Sequence, residues 1–207
     1  MQELLSRIIG EKQAQTIARE LNNNYTKLYR LEKEQLMELD GIDETTADKI
    51  RAVVEFSEEL YTKQAKEELI KIYDEESMVK YVNAKLSHKQ EEYFIALILD
   101  NEYNYIGDET ISKGGTSGTT CQPKDVFRKA IKIGGKNIIL VHNHPTGNLT
   151  PSRDDVIVTR RLAKLGLFLG VDVVDHLIVG RNEHYSMLYN GHLNRQDILT
   201  TTPEITF

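Results

Sequence analysis

The chain has no tryptophan, only four prolines, a single cysteine, and no apolar run long enough to cross a bilayer. Each scarcity closes a class. A membrane-spanning helix needs about 20 successive, mostly apolar residues, so no span is expected. Cys121 has no second cysteine to pair with, which excludes the disulfide-stapled secreted scaffolds. No nucleophile pattern surrounds it, so it reads as a plain strand cysteine. The stretch Met1-Gln2-Glu3-Leu4-Leu5 lacks the basic region and apolar core of a secretory signal, and with the lone thiol this predicts the cytoplasm. A formal net charge of −6 argues against a broad polyanion-binding surface. There is no Pro/Gly/Ser linker, internal repeat or low-complexity segment. What is present, 40% hydrophobic and 28% charged residues over 207 positions, suits one large or two small globular domains.

Residues 1 to about 60 read as short helices. Ala14, Ile17, Ala18 and Leu21 recur at helical spacing and stop at Asn22-Asn23-Asn24. Leu36, Leu39-Asp40-Gly41-Ile42-Asp43 and a helix through Ala47, Ile50, Val53 and Val54 follow, with Thr45 or Thr46 as the expected cap. This stretch resembles a helix-hairpin-helix, whose Gly-hydrophobic-Gly turn offers backbone N–H groups to phosphate. Here Asp43 replaces the second glycine, with Asp40 and Glu44 beside it. Residues 1–74 carry 11 Lys/Arg against 16 Asp/Glu, the wrong sign for a nucleic-acid footprint. A structural or protein-binding hairpin therefore competes with a DNA-binding one. Residues 56–86 are polar and helix-prone and read as a solvated helical connector, with the domain boundary inside 60–78.

The second domain opens with Tyr93 to Leu99, apolar on both faces and so expected as a central strand. Tyr105-Ile106-Gly107 begins a second strand, interrupted at Gly114-Gly115-Thr116-Ser117-Gly118, which is not a P-loop because no Gly-Lys-Ser/Thr ends it. A helix from Gln122-Pro123 through Val126, Phe127, Ala130 and Ile131 closes at Gly134-Gly135. After the central motif come a helix from about Pro151 to Leu165, striped by Val156, Thr159, Leu162 and Leu165, and a strand over 171–179. His176 in that strand reads as a satisfied core histidine. Met187, Leu188 and Tyr189 are expected as a last short strand.

The chemistry concentrates in His142-Asn143-His144-Pro145 to Asp155. The run Ile138 to Val141 reads as a buried strand. Strand alternation then points His142 and His144 one way and Asn143 the other. Pro145 and Gly147 break the strand, and Thr150-Pro151-Ser152 starts a helix. Ser152 and Asp155, three apart, can share a face of it. A polar strand face and an ordinary capping box explain the parts separately. Jointly, two imidazole nitrogens, one carboxylate oxygen and a position left for water describe a catalytic zinc site.

The joint pattern His-x-His-x7-Ser-x-x-Asp resembles the JAMM signature of MPN/JAB-type metalloproteases. Val141 to Ser152 and Val174-Asp175-His176-Leu177-Ile178-Val179-Gly180 are similar, more narrowly, to the RadC family. The resemblance covers nearly the whole chain, with Pro123-Lys124-Asp125 standing where the family usually shows Pro-Arg-Glu. It implies an α/β class protein: an all-α helix-hairpin-helix domain over 1–75, an MPN/JAB-type domain with a curved mixed sheet packed by helices over 76–192, and a tail over 193–207. It also implies Zn2+ held by His142, His144 and Asp155, Glu92 as general base and Ser152 steadying an oxyanion. Strand alternation lets only one of Glu91 and Glu92 face the metal, and the family-like Glu-x-Phe spacing selects Glu92. The expected activity is hydrolysis of an amide or isopeptide bond in a peptide or protein. A DNA-associated accessory protein with a structural or vestigial metal is the alternative. A metal-dependent nuclease is a third reading, poorly matched by one mononuclear site.

Overall fold

The computed structural model describes residues 1–71, 75–114, 121–181 and 183–194. The glycine stretch after Gly114 and the tail from 195 lie outside the described residues. The chain divides between Gln64 and Ala65 into two compact units. Among the described residues no helix is long and apolar enough to cross a membrane.

The first unit is helical: α1 (Gln2–Ile9), α2 (Glu11–Glu20), α3 (Tyr25–Arg30), α4 (Lys33–Met37) and the beginning of α5 (Glu44–Lys71). Ala14, Ile17, Leu36, Ala47 and Ile50 form the centre of its core. Asn22 and Asn23 sit at positive φ, ending α2, and the Asn24 side chain caps α3 by accepting the Lys27 N–H. Gly41 turns the α4–α5 connection at φ 75°. The expected cap of α5 is corrected. The Asp43 carboxylate accepts the Thr46 N–H at 2.8 Å, so Asp43, not Thr45 or Thr46, closes the helix start. A short acceptor one residue before the first helical position suits this geometry better than a residue already inside the helix.

The second unit is built on a five-stranded mixed sheet in the order β2-β1-β3-β4-β5, from β1 (Tyr93–Leu99), β2 (Tyr105–Lys113), β3 (Asn137–Asn143), β4 (Asp172–Gly180) and β5 (Glu183–Ser186). Only β3 and β4 are parallel, and α8 (Arg153–Leu169) connects them. α6 (Glu75–Leu86) precedes the sheet, and α7 (Pro123–Ile133) lies between β2 and β3 in sequence. Period-two alternation splits the apolar strands between two cores. Phe94, Ala96, Ile98, Ile138 and Leu140 face α7 and α8. Ile95, Leu97, Leu99, Ile139 and Val141 face the core that holds α6. With β1 and β3 covered on both sides, a continuous apolar run is what each needs.

Several expectations shift. α6 is no solvated connector: Met78, Tyr81, Val82 and Leu86 are buried, an i, i+3, i+4, i+8 face hidden among lysines. Its attachment to β2 is polar as well. The Asp108 carboxylate on β2 accepts from Tyr81 at 2.8 Å and from Tyr105 and Lys85. α8 starts after Ser152 rather than at Pro151 and runs on to Leu169; its buried stripe is Asp155, Val158, Thr159, Leu162, Ala163 and Gly166. Val156 and Leu165 are only half-buried. At Gly166 any Cβ would lie 2.3 Å from the Val171 carbonyl oxygen, so glycine allows the chain to fold back from α8 into β4. Ile131 is exposed. Cys121 is buried in the coil before α7 rather than in a strand, and burial pushes its thiol up to about 11. The last strand is β5, not 187–189; Met187 follows it, buried, with its N–H donated to the His176 carbonyl.

Candidate metal centre

β3 delivers His142 as its penultimate residue, on the α7–α8 side of the sheet. The chain leaves the strand at His144, whose N–H donates to the Val179 carbonyl at 3.0 Å. It then turns through Gly147, which sits at φ 81° against the Arg181 side chain. Asp155 enters from the first turn of α8, where Ser152 is the N-cap. The Ser152 hydroxyl accepts the Asp155 N–H at 3.1 Å and donates to Asp155 Oδ2 at 2.6 Å, and Oδ2 also accepts the Ser152 N–H at 2.8 Å. The capping box and the proposed ligand are thus the same residues, and one function does not displace the other.

The three side chains converge. One ligand atom from each of His142, His144 and Asp155 lies within 4.8 Å of the others. The separations are 2.9 Å between the two Nε2 atoms, 3.5 Å from His142 Nε2 to Asp155 Oδ1 and 3.9 Å from His144 Nε2 to Asp155 Oδ2. Donors on a tetrahedral zinc with bonds of about 2.05 Å stand about 3.3 Å apart, inside that range.

The hydrogen bonds fix the tautomers. His144 Nδ1 meets the Asn148 carbonyl, which can only accept, so the proton is on Nδ1 and Nε2 carries the lone pair. The same logic runs through a longer chain for His142. The Thr159 hydroxyl donates to the Asp155 carbonyl, so it accepts from His176 Nδ1. His176 Nε2 is therefore an acceptor, and His142 Nδ1, 2.8 Å away, must be the donor. His142 Nε2 is left with a lone pair aimed at that of His144. Burial lowers His142 to about 4, which disfavours its charged form. Two facing lone pairs and a carboxylate in a buried corner have the electrostatics of a cation site, and the donor set fits zinc.

Glu92 lies half-buried just before β1. Burial raises its carboxyl; His144 lowers it and Asp155 raises it, which places it within the electrostatic reach of both. Glu91 behaves otherwise: it is exposed and pairs with Lys113 at 3.5 Å.

Two contributors were read from sequence only as packing residues, His176 as a satisfied core histidine, which it is, and Thr159 as part of a buried helix stripe. Thr159 and His176 together tie one imidazole to the backbone of the carboxylate-bearing turn, both fully buried. Thr159, one helical turn after Asp155, carried a local signal; the His176 partnership needed the β3–β4 pairing, in which Leu140 sits opposite His176. Asn143 points to the other side, as alternation requires. It accepts the Tyr93 N–H at 2.7 Å and donates to the Glu91 carbonyl at 2.9 Å, holding the segment that carries Glu92.

Known proteins resemble this chain over most of its length. A family profile described as a RadC-like JAB domain matches residues 72–192. A UPF0758 protein of Finegoldia magna is 39% identical over 154 residues, covering 74% of this chain and 69% of its own. One of Carboxydothermus hydrogenoformans is 31% identical over 192 residues, 89% of this chain and 84% of its own. One of Clostridium perfringens is 36% identical over 162 residues, 77% and 70% respectively. With the profile spanning more than half of the sequence and these relatives most of it, the chain belongs to the RadC family, with a RadC-like JAB domain.

Proposed function

We propose that this protein is a cytoplasmic zinc metallohydrolase that cleaves an amide or isopeptide bond in a peptide or protein. The observation that carries the reading is the convergence of His142 Nε2, His144 Nε2 and the Asp155 carboxylate, with tautomers that leave both nitrogens free to bind. A zinc ion held there lowers the pKa of a bound water to roughly 7 and polarises a carbonyl. The chain's own residues do the rest. His142 and His144 present their Nε2 atoms, each held by its Nδ1 partner. Asp155 supplies charge and is steadied by Ser152 through Oδ2. Glu92, whose carboxyl is raised by burial, takes the proton of the attacking water and returns it to the leaving amine. Rotation of the Ser152 hydroxyl away from Asp155 lets it donate to the oxyanion, a contribution of up to about 4 kcal/mol for such donors.

We read the α4–α5 turn as a helix-hairpin-helix element whose phosphate-binding position is taken by the Asp43 carboxylate, which disfavours the DNA-associated alternative. Metal analysis tests the central claim. Purified protein should carry one zinc per chain, and His142→Ala with His144→Ala should abolish it; an unchanged zinc content in the double variant refutes the ligand set. Hydrolysis of isopeptide-linked and linear peptide substrates by the loaded wild type then tests the activity itself.

A further inference from the structure

The three ligand side chains are not equally covered. His142 and Asp155 are 1% and 4% exposed, whereas His144 is 15% exposed, so the centre meets solvent on the His144 side. The end of β4 packs there. The His144 N–H donates to the Val179 carbonyl, and the His144 carbonyl accepts the Gly147 N–H at 2.9 Å. Two glycines let the β4–β5 hairpin press onto this turn. A Cβ at Gly180 would lie 3.2 Å from both the His144 carbonyl oxygen and Gly147 Cα. One at Gly147 would lie 2.5 Å from Arg181 Nε and 2.7 Å from Arg181 Cδ. The Arg181 stem therefore runs along the turn that carries His144.

Arg181 departs from what its position favours. Gly180 pairs with Glu183, so two residues join β4 to β5, and Arg181, the first of them, sits at φ 52°. Two-residue hairpin connections favour Asn, Asp or Gly where φ is positive, because a Cβ in that region crowds the following carbonyl. A backbone outlier of this kind beside a reactive centre is grounds for seeking a role outside the turn. Arg181 is exposed, and among the described residues no carboxylate or carbonyl accepts from its guanidinium. Its stem is held while its planar donor fork is free, the geometry that receives a carboxylate through two parallel hydrogen bonds.

We propose that Arg181 selects substrates bearing a carboxylate a few residues from the scissile bond, supplied by an acidic side chain or by a free chain end. The bond cleaved rests on the hydrolase reading above; the carboxylate rests on the hairpin geometry. Charge agrees with the placement. Asp155 and Glu92 repel an acidic group brought close to the ligands, so a cation outside them is where one is accepted. Lys113, at the end of β2, is already taken by Glu91 at 3.5 Å.

The test uses the full chain loaded with zinc and three acetylated pentaalanine probes: an amide with a central glutamate, a free acid, and a plain amide. Binding is followed through the Gly147 amide resonance, which needs no turnover and is present in every variant. One acidic probe should bind at least about tenfold more tightly than the plain amide, the scale of a charge-assisted hydrogen bond. Which one does so separates side chain from chain end. Arg181→Asn suits the positive φ and carries no charge, and it should abolish the preference; Arg181→Lys should keep part of it. Arg181→Glu should reverse it in favour of a probe with a central lysine, which a purely structural role would not do. Unchanged zinc affinity shows that each variant keeps its centre intact. Equal binding of acidic and plain probes overturns the proposal, as does a preference that survives Arg181→Asn. Inorganic phosphate bound more tightly than either acidic probe, and lost in Arg181→Asn, also overturns it by assigning the arginine to phosphate. A carboxylate preference in a protein that cleaves no peptide would support the proposal and count against the hydrolase reading alone.

Discussion

Replacing Thr159 by valine keeps the shape of the side chain and removes one oxygen. That oxygen receives the His176 Nδ1–H and donates to the Asp155 carbonyl, in a place with no exposure to solvent. Without it, His176 Nδ1–H is left buried with no acceptor, at a cost of about 1–3 kcal/mol. The imidazole can escape by carrying its proton on Nε2 instead. It then donates to His142 Nδ1, and His142 must carry its own proton on Nε2, the nitrogen that faces His144 at 2.9 Å. Zinc binding has to reverse that rearrangement. At about 1.4 kcal/mol per tenfold, the cost becomes a loss of about 5- to 150-fold in affinity, which brackets the roughly 10- to 100-fold typical when a ligand's outer partner is removed.

Competition with a chromogenic chelator measures this directly, and nitrogen chemical shifts of His142 report which ring atom is protonated. Thr159→Ser keeps the hydroxyl and should stay close to wild type. A folded Thr159→Val protein that binds zinc as wild type does, with the proton still on His142 Nδ1, would refute the tautomer argument and leave Thr159 as packing alone.

Glu92→Gln should retain zinc and lose hydrolysis, whereas Glu91→Gln should be mild, because the exposed Glu91 only pairs with Lys113; the reverse result in a peptide-cleavage assay would move the base to Glu91. Asp108→Asn should cost about 1.5–3 kcal/mol in urea unfolding at pH 7, as expected when charge-assisted hydrogen bonds to a half-buried carboxylate are weakened. Burial pushes the Asp108 carboxyl up, but Lys85, Tyr105 and Tyr81 outweigh it and hold it well below the usual range. A depressed folded value means stability that is complete above the unfolded value of about 3.9 and is lost as pH falls below it. Asp108→Asn should therefore flatten the acid limb of the stability curve, and an unchanged limb would rule out Asp108 as its source. Asp43→Asn keeps the α5 cap while removing charge; duplex DNA binding should remain weak in wild type and strengthen in the variant, and submicromolar wild-type binding with a steep salt slope would contradict the acidic-hairpin reading.

Strand content was legible where burial on both faces forces an uninterrupted apolar run, as in β1 and β3. Helix starts were less so. The cap of α5 went to Asp43 because any short acceptor can close a helix, and the Asp43-Glu44-Thr45-Thr46 stretch offers several. α6 was misread because Lys80 and Lys85 interrupt its apolar residues, although the buried face of a helix needs only every third or fourth position. β5 was misplaced because Glu183–Ser186 is an edge strand, polar and half-exposed, whereas the apolar Met187 is buried beyond its end. The convergent residues His142, His144 and Asp155 could be chosen from spacing, since a strand end and a helix start have fixed side-chain directions. The tautomers could not, because they depend on Asn148, Thr159 and His176 together, and only the β3–β4 pairing brings His176 to the site.

β3 joins fold and site through parity. Ile138, Leu140 and His142 fall on the α7–α8 side, and Ile139, Val141 and Asn143 on the other. The same alternation that buries two apolar sets sends the imidazole toward Asp155 and the Asn143 amide toward the chain entering β1. There the amide takes the Tyr93 N–H and gives its own to the Glu91 carbonyl, gripping the backbone on both sides of Glu92. Phe94 pairs with His142 across the β1–β3 ladder, so the carboxylate and the imidazole are placed by one register. A slip of one residue would exchange every face of the strand. It would drive Asn143 into the apolar core beside Phe94, turn His142 away from Asp155 and release the Glu92 segment at once. The cost of burying an unpaired amide on one side and the burial of Ile138 and Leu140 there oppose that slip together. The position of Glu92 is thus maintained by the sheet itself rather than by the loop on which the residue sits.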